Sequence, residues 1–228
     1  MAAIARFKDI CIDANDSARL GRFWAEVIGR HYEAKTDGGA VLTGPTSRHT
    51  VWVNAVPEPR PGKNRVHLDI YATALTGLEE LGARITEPEG EDRKWTVMAD
   101  VEGGEFCAFL RADLPAELLH GLVVDSADPA AQARWWGSVY DAEVVHYAAE
   151  HSTVRGIAGM PILTMDFVAV PEPKTVKNRV HWDVSIDRLE PLVGAGATTL
   201  RPPDQERNWY VMADPEGNEF CAFVKTGS

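Results

Sequence analysis

Shifted against itself by 114 residues, this 228-residue chain brings two long segments into near-identity. VPEPRPGKNRVHLD (Val56 to Asp69) falls on VPEPKTVKNRVHWD (Val170 to Asp183) with ten identities in fourteen, and WTVMADVEGGEFCAF (Trp95 to Phe109) on WYVMADPEGNEFCAF (Trp209 to Phe223) with twelve in fifteen. The N-terminal parts align at an offset of 112, which sets Phe23-Trp24 over Trp135-Trp136 and Asp13 over Asp125. The chain is therefore two copies of one unit. Leu-Pro-Ala interrupts the pattern between them, which gives copies over 1–113 and 117–228.

Within a copy, the periodicity alternates strands with short helices. Ile10 and Ile12 alternate with Asp9, Cys11 and Asp13, a half-buried strand. Asn15 or Asp16 then caps a helix whose Leu20, Phe23, Trp24, Val27 and Ile28 share one face. Thr50 to Val56 and Val66 to Tyr71 read as strands. Leu75 to Leu81 reads as a helix ended by Gly82, and Trp95 to Leu110 as a hairpin. In the second copy, Asp128-Pro129 supplies a cleaner helix start.

Strand parity selects the residues that face a site. Val66, Leu68 and Ile70 fall on the apolar side, leaving Arg65, His67 and Asp69 on the other; Arg179, His181 and Asp183 repeat the pattern. In the last strand Phe106, Ala108 and Leu110 go inward, and Glu105, Cys107 and Phe109 outward, matched by Glu219, Cys221 and Phe223. His and Cys thus share one face in each copy.

Composition bounds the partners. With 34 acidic against 23 basic residues, the net charge is −11, and no Lys/Arg run is present, so nucleic acid and anionic membrane are not expected partners. A neutral or cationic small molecule is. No apolar stretch has the length of a membrane span and the N-terminus lacks a secretory core, so a cytoplasmic protein, monomer or homodimer, is expected. Three scattered cysteines imply reduced thiols.

The KNRVHLD strand, the ADPEGNEFCAF hairpin and the Phe/Trp-rich first helix together resemble the vicinal oxygen chelate superfamily. That superfamily groups glyoxalases, bleomycin-resistance proteins and extradiol dioxygenases, and the likeness is to its glyoxalase-like subgroup found in actinobacteria. The resemblance implies an α+β fold of four βαβββ modules, with curved mixed sheets forming cups. It also implies metal positions on the first strand, the strand after the midpoint and the last strand. Carried over, these fall on Asp9 or Gly121, on His67 or His181, and on Cys107 or Cys221, with His120 beside Gly121 on the other parity. Two of the three positions in each copy depart from the His/His/Glu pattern. A thiol disfavours hard ions, so no metal is expected; if one is present, the set is Asp9, His67 and Cys107, with zinc favoured over manganese or magnesium. A mixed set of Asp9, His181 and Cys221 is the alternative.

The repeated Asp-Pro-Glu-Gly-Asn turn and Lys-Asn-Arg segment are read as structural, the latter pinning a loop through hydrogen bonds or an Arg–Asp pair. The Phe23-Trp24 and Trp135-Trp136 pairs are read as core, with one ring of each free to overhang a cup. Specificity is expected where the copies differ: Arg48 to Asn54 aligns with Ile162 to Val168. On that basis Asp9, His49, Trp52, Met165, Asp166, Phe167, Cys107 and Cys221 are candidate ligand-binding residues. Two functions follow. One is a metal-free protein binding a neutral or cationic metabolite or antibiotic. The other is a lyase or isomerase with His67 or His181 as general base, oriented by Asp69 or Asp183, or as ligand of a divalent metal.

Overall fold

The computed structural model describes residues 2–60, 62–91, 93–148 and 150–225; Pro61 of the motifs above lies outside them. Four modules follow one another. The first is β1 (Ala5–Ala14), α1 (Ser17–Val27), β2 (His31–Ala34), β3 (Ala40–Thr43) and β4 (Val51–Ala55). The second is β5 (Val66–Ala72), α2 (Leu75–Glu80), β6 (Arg84–Glu87), β7 (Thr96–Ala99) and β8 (Glu105–Leu110). The third is β9 (Leu119–Ser126), α3 (Pro129–Tyr140), β10 (Glu143–Ala148), β11 (His151–Arg155) and β12 (Thr164–Ala169). The fourth is β13 (Val180–Ile186), α4 (Glu190–Gly194), β14 (Thr198–Arg201), β15 (Tyr210–Ala213) and β16 (Glu219–Val224). This is the expected βαβββ plan, four times over. Among the described residues, no helix is long and apolar enough to cross a membrane.

The modules pair outermost with outermost and inner with inner. One mixed eight-stranded sheet runs β14-β15-β16-β13-β1-β4-β3-β2, and the second runs β10-β11-β12-β9-β5-β8-β7-β6. Each sheet therefore takes one module from each sequence copy, joined by an antiparallel seam: β1 on β13 in the first sheet, β5 on β9 in the second.

The main helices fill the space between the sheets. Asp16 caps α1, its side chain accepting from Arg19 N at 2.9 Å, and Asp128 does the same for α3 from Ala131 N. The Trp24 ring of α1 meets Phe106 of the second sheet at 5.3 Å; the Trp136 ring of α3 meets Trp182 and Phe220 of the first at 5.0 and 5.1 Å. Each ring buries enough surface to rank with the largest single contributions to the core. No ring of either pair overhangs a cup, because the helices cover the face opposite the His and Asp side chains. Phe106 and Ala108 are buried as expected, but Leu110 is 45 % exposed because it ends its strand beyond the helical cover.

The repeated motifs hold this frame. Asp214 accepts from the Trp136 and Gln132 side chains and from the turn's own N–H groups, while Glu216 receives Ser126 Oγ and the N–H groups of Ala127 and Asp128. Asp100 and Glu102 serve Trp24 and the start of α1 in the same way. The Lys-Asn-Arg segments pin loops, though through lysine: Lys63 pairs with Asp125 and Lys177 with Asp13, while Arg65 bonds the carbonyls of Asp125 and Glu172.

Candidate functional site

Each sheet turns its polar face outward, so the molecule carries two cups on opposite sides. Both floors are built on a seam. In the first sheet Cys11 stands directly opposite His181, with Asp9 opposite Asp183; Trp52 neighbours Cys11, and Cys221 neighbours Asp183. In the second, His67 faces Val123 and Asp69 faces Gly121, with Cys107 beside Asp69 and Asp166 beside Val123. The mixed set of Asp9, His181 and Cys221 thus lies in one cup. The set Asp9, His67 and Cys107 cannot form, since Asp9 belongs to the first sheet and the other two to the second.

Both seams carry an irregularity that sequence parity could not anticipate. The register shifts between Phe7 and Asp9 and between Asp69 and Ile70, so a residue expected to point inward joins the cup face. In the second cup that residue is His120, whose ring stacks on Tyr71 at 4.1 Å and meets Phe109 edge-on at 4.8 Å. In the first it is Lys8, whose ammonium lies 4.5 Å over the Phe223 ring and pairs with Asp9.

The remaining candidates divide. Trp52 donates its Nε1 hydrogen to Asp9 Oδ2 at 3.0 Å, inside the first cup. Asp166 lies in the second, accepting from Thr153 Oγ1 at 2.5 Å and lying 3.0 Å from His151 Nε2. Met165 and Phe167 are fully buried under α3 instead, because alternation along β12 sends them opposite to Asp166. His49 pairs at 3.3 Å with Glu117, which also holds Arg30, so it braces the segment between the copies rather than lining a cup.

Burial governs the chemistry of both floors. His67 Nε2 lies 3.6 Å from Asp69 Oδ1 and 3.5 Å from Cys107 Sγ. Burial holds the imidazole down at about 4 and, with the Asp166 charge, pushes the Asp69 carboxyl up to about 8. At neutral pH this is an uncharged imidazole beside a protonated carboxyl, not an ion pair. Burial also raises Asp166, but hydrogen bonds from His151, Thr153 and Thr164 outweigh it and keep that carboxylate ionised. In the first cup burial raises Asp183 and pushes the Cys11 and Cys221 thiols upward, and the Asp183 charge beside both adds to their rise.

Three donors converge in each cup: Cys11, His181 and Asp183 in the first, His67, Asp69 and Cys107 in the second. Either set suits a borderline-soft divalent ion better than a hard one. The positions implied by the resemblance fit less well. Asp9 Oδ2 is already held by Trp52 and Lys8. Gly121 offers no ligand, and a Cβ there would stand 3.1 Å from that of Asp69, which occupies the space.

The comparisons agree with this architecture. No curated protein matches the chain. Among solved structures, glyoxalase I from Zea mays superposes with a TM-score of 0.69 at 12 % identity, covering 96 % of this chain and 92 % of that one. The cppA protein from Streptococcus pneumoniae TIGR4 superposes at 0.51 and 12 % identity, covering 98 % and 100 %. The glyoxalase-like domain family matches residues 9–109 and again 121–223, and with four βαβββ modules forming two outward cups, the chain is a tandem member of the glyoxalase-like family.

Proposed function

We propose that this chain binds a small neutral or cationic molecule carrying a flat ring, a metabolite or an antibiotic, in the cup of the second sheet. The observation that carries the reading is the aromatic wall there. Trp95 stacks on Phe109 at 5.5 Å, Phe109 meets His120, and His120 stacks on Tyr71, so four rings stand beside the His67, Asp69 and Cys107 floor. Rings of this kind supply apolar area with a geometric preference for a planar partner. The ionised Asp166 across the floor favours positive charge, as does the −11 net charge of the chain.

The reading is tested by melting the protein against a panel of neutral and cationic aromatic compounds. A ligand at a hundred times its dissociation constant adds about 2.7 kcal/mol, or roughly 5–10 °C for a protein of this size. The shift should vanish in Phe109→Ala and survive in Phe223→Ala, its counterpart in the other cup. No shift across the panel, or equal loss in both variants, sinks the reading.

A second reading, a lyase or isomerase, is favoured by the His67–Asp69 pair. The neutral imidazole is free to accept a proton, weakly, and the Asp69 carboxyl is a donor near neutral pH. That reverses the simpler division of labour in which the carboxylate only orients the base. It requires a substrate turned over by the native chain and not by Asp69→Asn.

A further inference from the structure

We propose that the cup of the first sheet is a zinc site, held by the Cys11 thiolate, the His181 imidazole and the Asp183 carboxylate. These three bring one donor atom each within 4.8 Å of one another. Only His181 coincides with a metal position implied by the family resemblance. Cys11 and Asp183 are each two residues further along their strands than Asp9 and His181, and the seam brings them together by setting Cys11 opposite His181.

Two features single out this cup. First, His181 and Asp183 are more than nine-tenths buried, yet His181 Nδ1 and Asp183 Oδ1 have no hydrogen-bond partner. Orphaned atoms of that kind cost on the order of 1–3 kcal/mol each and are normally satisfied. In the second cup Asp69 Oδ1 is orphaned too, but His67 is more exposed, at 17 % of its side chain, and its Nε2 already meets Cys107 Sγ at 3.5 Å. Second, the first cup holds a second thiol. Cys221 reaches Asp183 from the other side, and because β13 lies between β1 and β16, the two cysteines stand two strand spacings apart, roughly 10 Å. That is too far for a disulfide, which needs Cα atoms within about 7 Å. Two thiols flanking a carboxylate and an imidazole are a donor set of the kind zinc takes in proteins.

Charge fits the assignment. Zn²⁺ would replace the Cys11 thiol proton, which leaves to solvent, and one thiolate with one carboxylate then balances the ion. Lys8, 4.0 Å from Asp183 and paired with Asp9, offsets the surplus if Cys221 also ionises.

The experiment is elemental analysis of the full chain grown with added zinc and purified without chelator. Wild type and His67→Gln should carry about one zinc per chain, and Cys11→Ser and His181→Gln less than about a tenth. Wild type below about a tenth even after incubation with zinc overturns the site, and so does zinc retained by Cys11→Ser and His181→Gln. Should those variants fail to fold, Cys107→Ser loaded with cobalt decides the matter: a thiolate-to-cobalt charge-transfer band supports the first cup, and its absence overturns it.

Discussion

The two cups are built on the same frame, and four of the matched positions at which they differ lie together. Lys8, Asp9, Cys11 and Trp52 in the first become His120, Gly121, Val123 and Asp166 in the second. The first three are neighbours on one strand, β1 or β9, and the fourth comes from the adjacent β4 or β12. The strands that carry His67 and His181 kept their KNRVH segment, so the fixed part of each floor is donated by one copy and the varied part by the other. Divergence is thus concentrated on β1, β4, β9 and β12, with Tyr71 of β5 against Ser185 of β13 as a difference on the conserved strands, while the antiparallel pairing at the seam and the helix caps stayed constant. Both cups keep a Trp–Phe stack, Trp209 on Phe223 and Trp95 on Phe109; the first adds Cys11 and Asp9 to it, the second His120 and Tyr71.

The comparison can be broken at several depths. Trp24→Ala and Trp136→Ala remove equivalent rings from the shared frame, and each should cost about 3–5 kcal/mol in urea denaturation; a large difference between them would show that the two halves are not held alike. Ligand stabilisation comes next: the roughly 2.7 kcal/mol expected at saturation should depend on Phe109 and not on Phe223. Gly121→Asp restores the first cup's residue to the second, but its Cβ would meet Asp69 at 3.1 Å, and overpacking beside a buried carboxyl should cost about 1–3 kcal/mol.

The smallest effect is in pH. Asp69 has its pKa raised from 3.8 to about 8, so the stability it contributes is complete below about pH 4 and lost as pH rises to 8. His67 has its pKa lowered from 6.5 to about 4, so its contribution is present above 6.5 and lost as pH falls toward 4. The two oppose each other between 4 and 6.5, and above 6.5 only the Asp69 loss remains. Stability should therefore decline from pH 6.5 to 8 by on the order of 1 kcal/mol per unit, and Asp69→Asn should flatten that decline; an unchanged slope would assign it elsewhere.

Much of the fold and of both floors is legible in the amino-acid sequence. The repeat, the capped helices and the facing of His67, Asp69, His181 and Asp183 all follow from local periodicity. Three things do not. Strands β6 and β14 are exposed along their whole length and β2 nearly so, and without a buried face they show no alternation. The irregularities at Lys8 and His120 invert parity over one residue, a feature that only the seam pairing reveals. The pairing itself is non-local: nothing near Cys11 says that His181, on the other copy, stands opposite. Met165 and Phe167 are different, since the alternation that buries them is visible in the sequence around Asp166.

The seam between β1 and β13 has a consequence for how the molecule comes into being. About 170 residues of chain separate its two strands, a loop whose closure is slow compared with local pairings. Until the fourth module exists, β1 offers one bare edge along its Asp9 and Cys11 segment, and until the third exists, so does β5. A lone copy would carry both open edges, the β1 edge of one complementary to the β5 edge of another. The tandem chain is in this sense a dimer with its partner already attached, and its first strand waits for nearly the last.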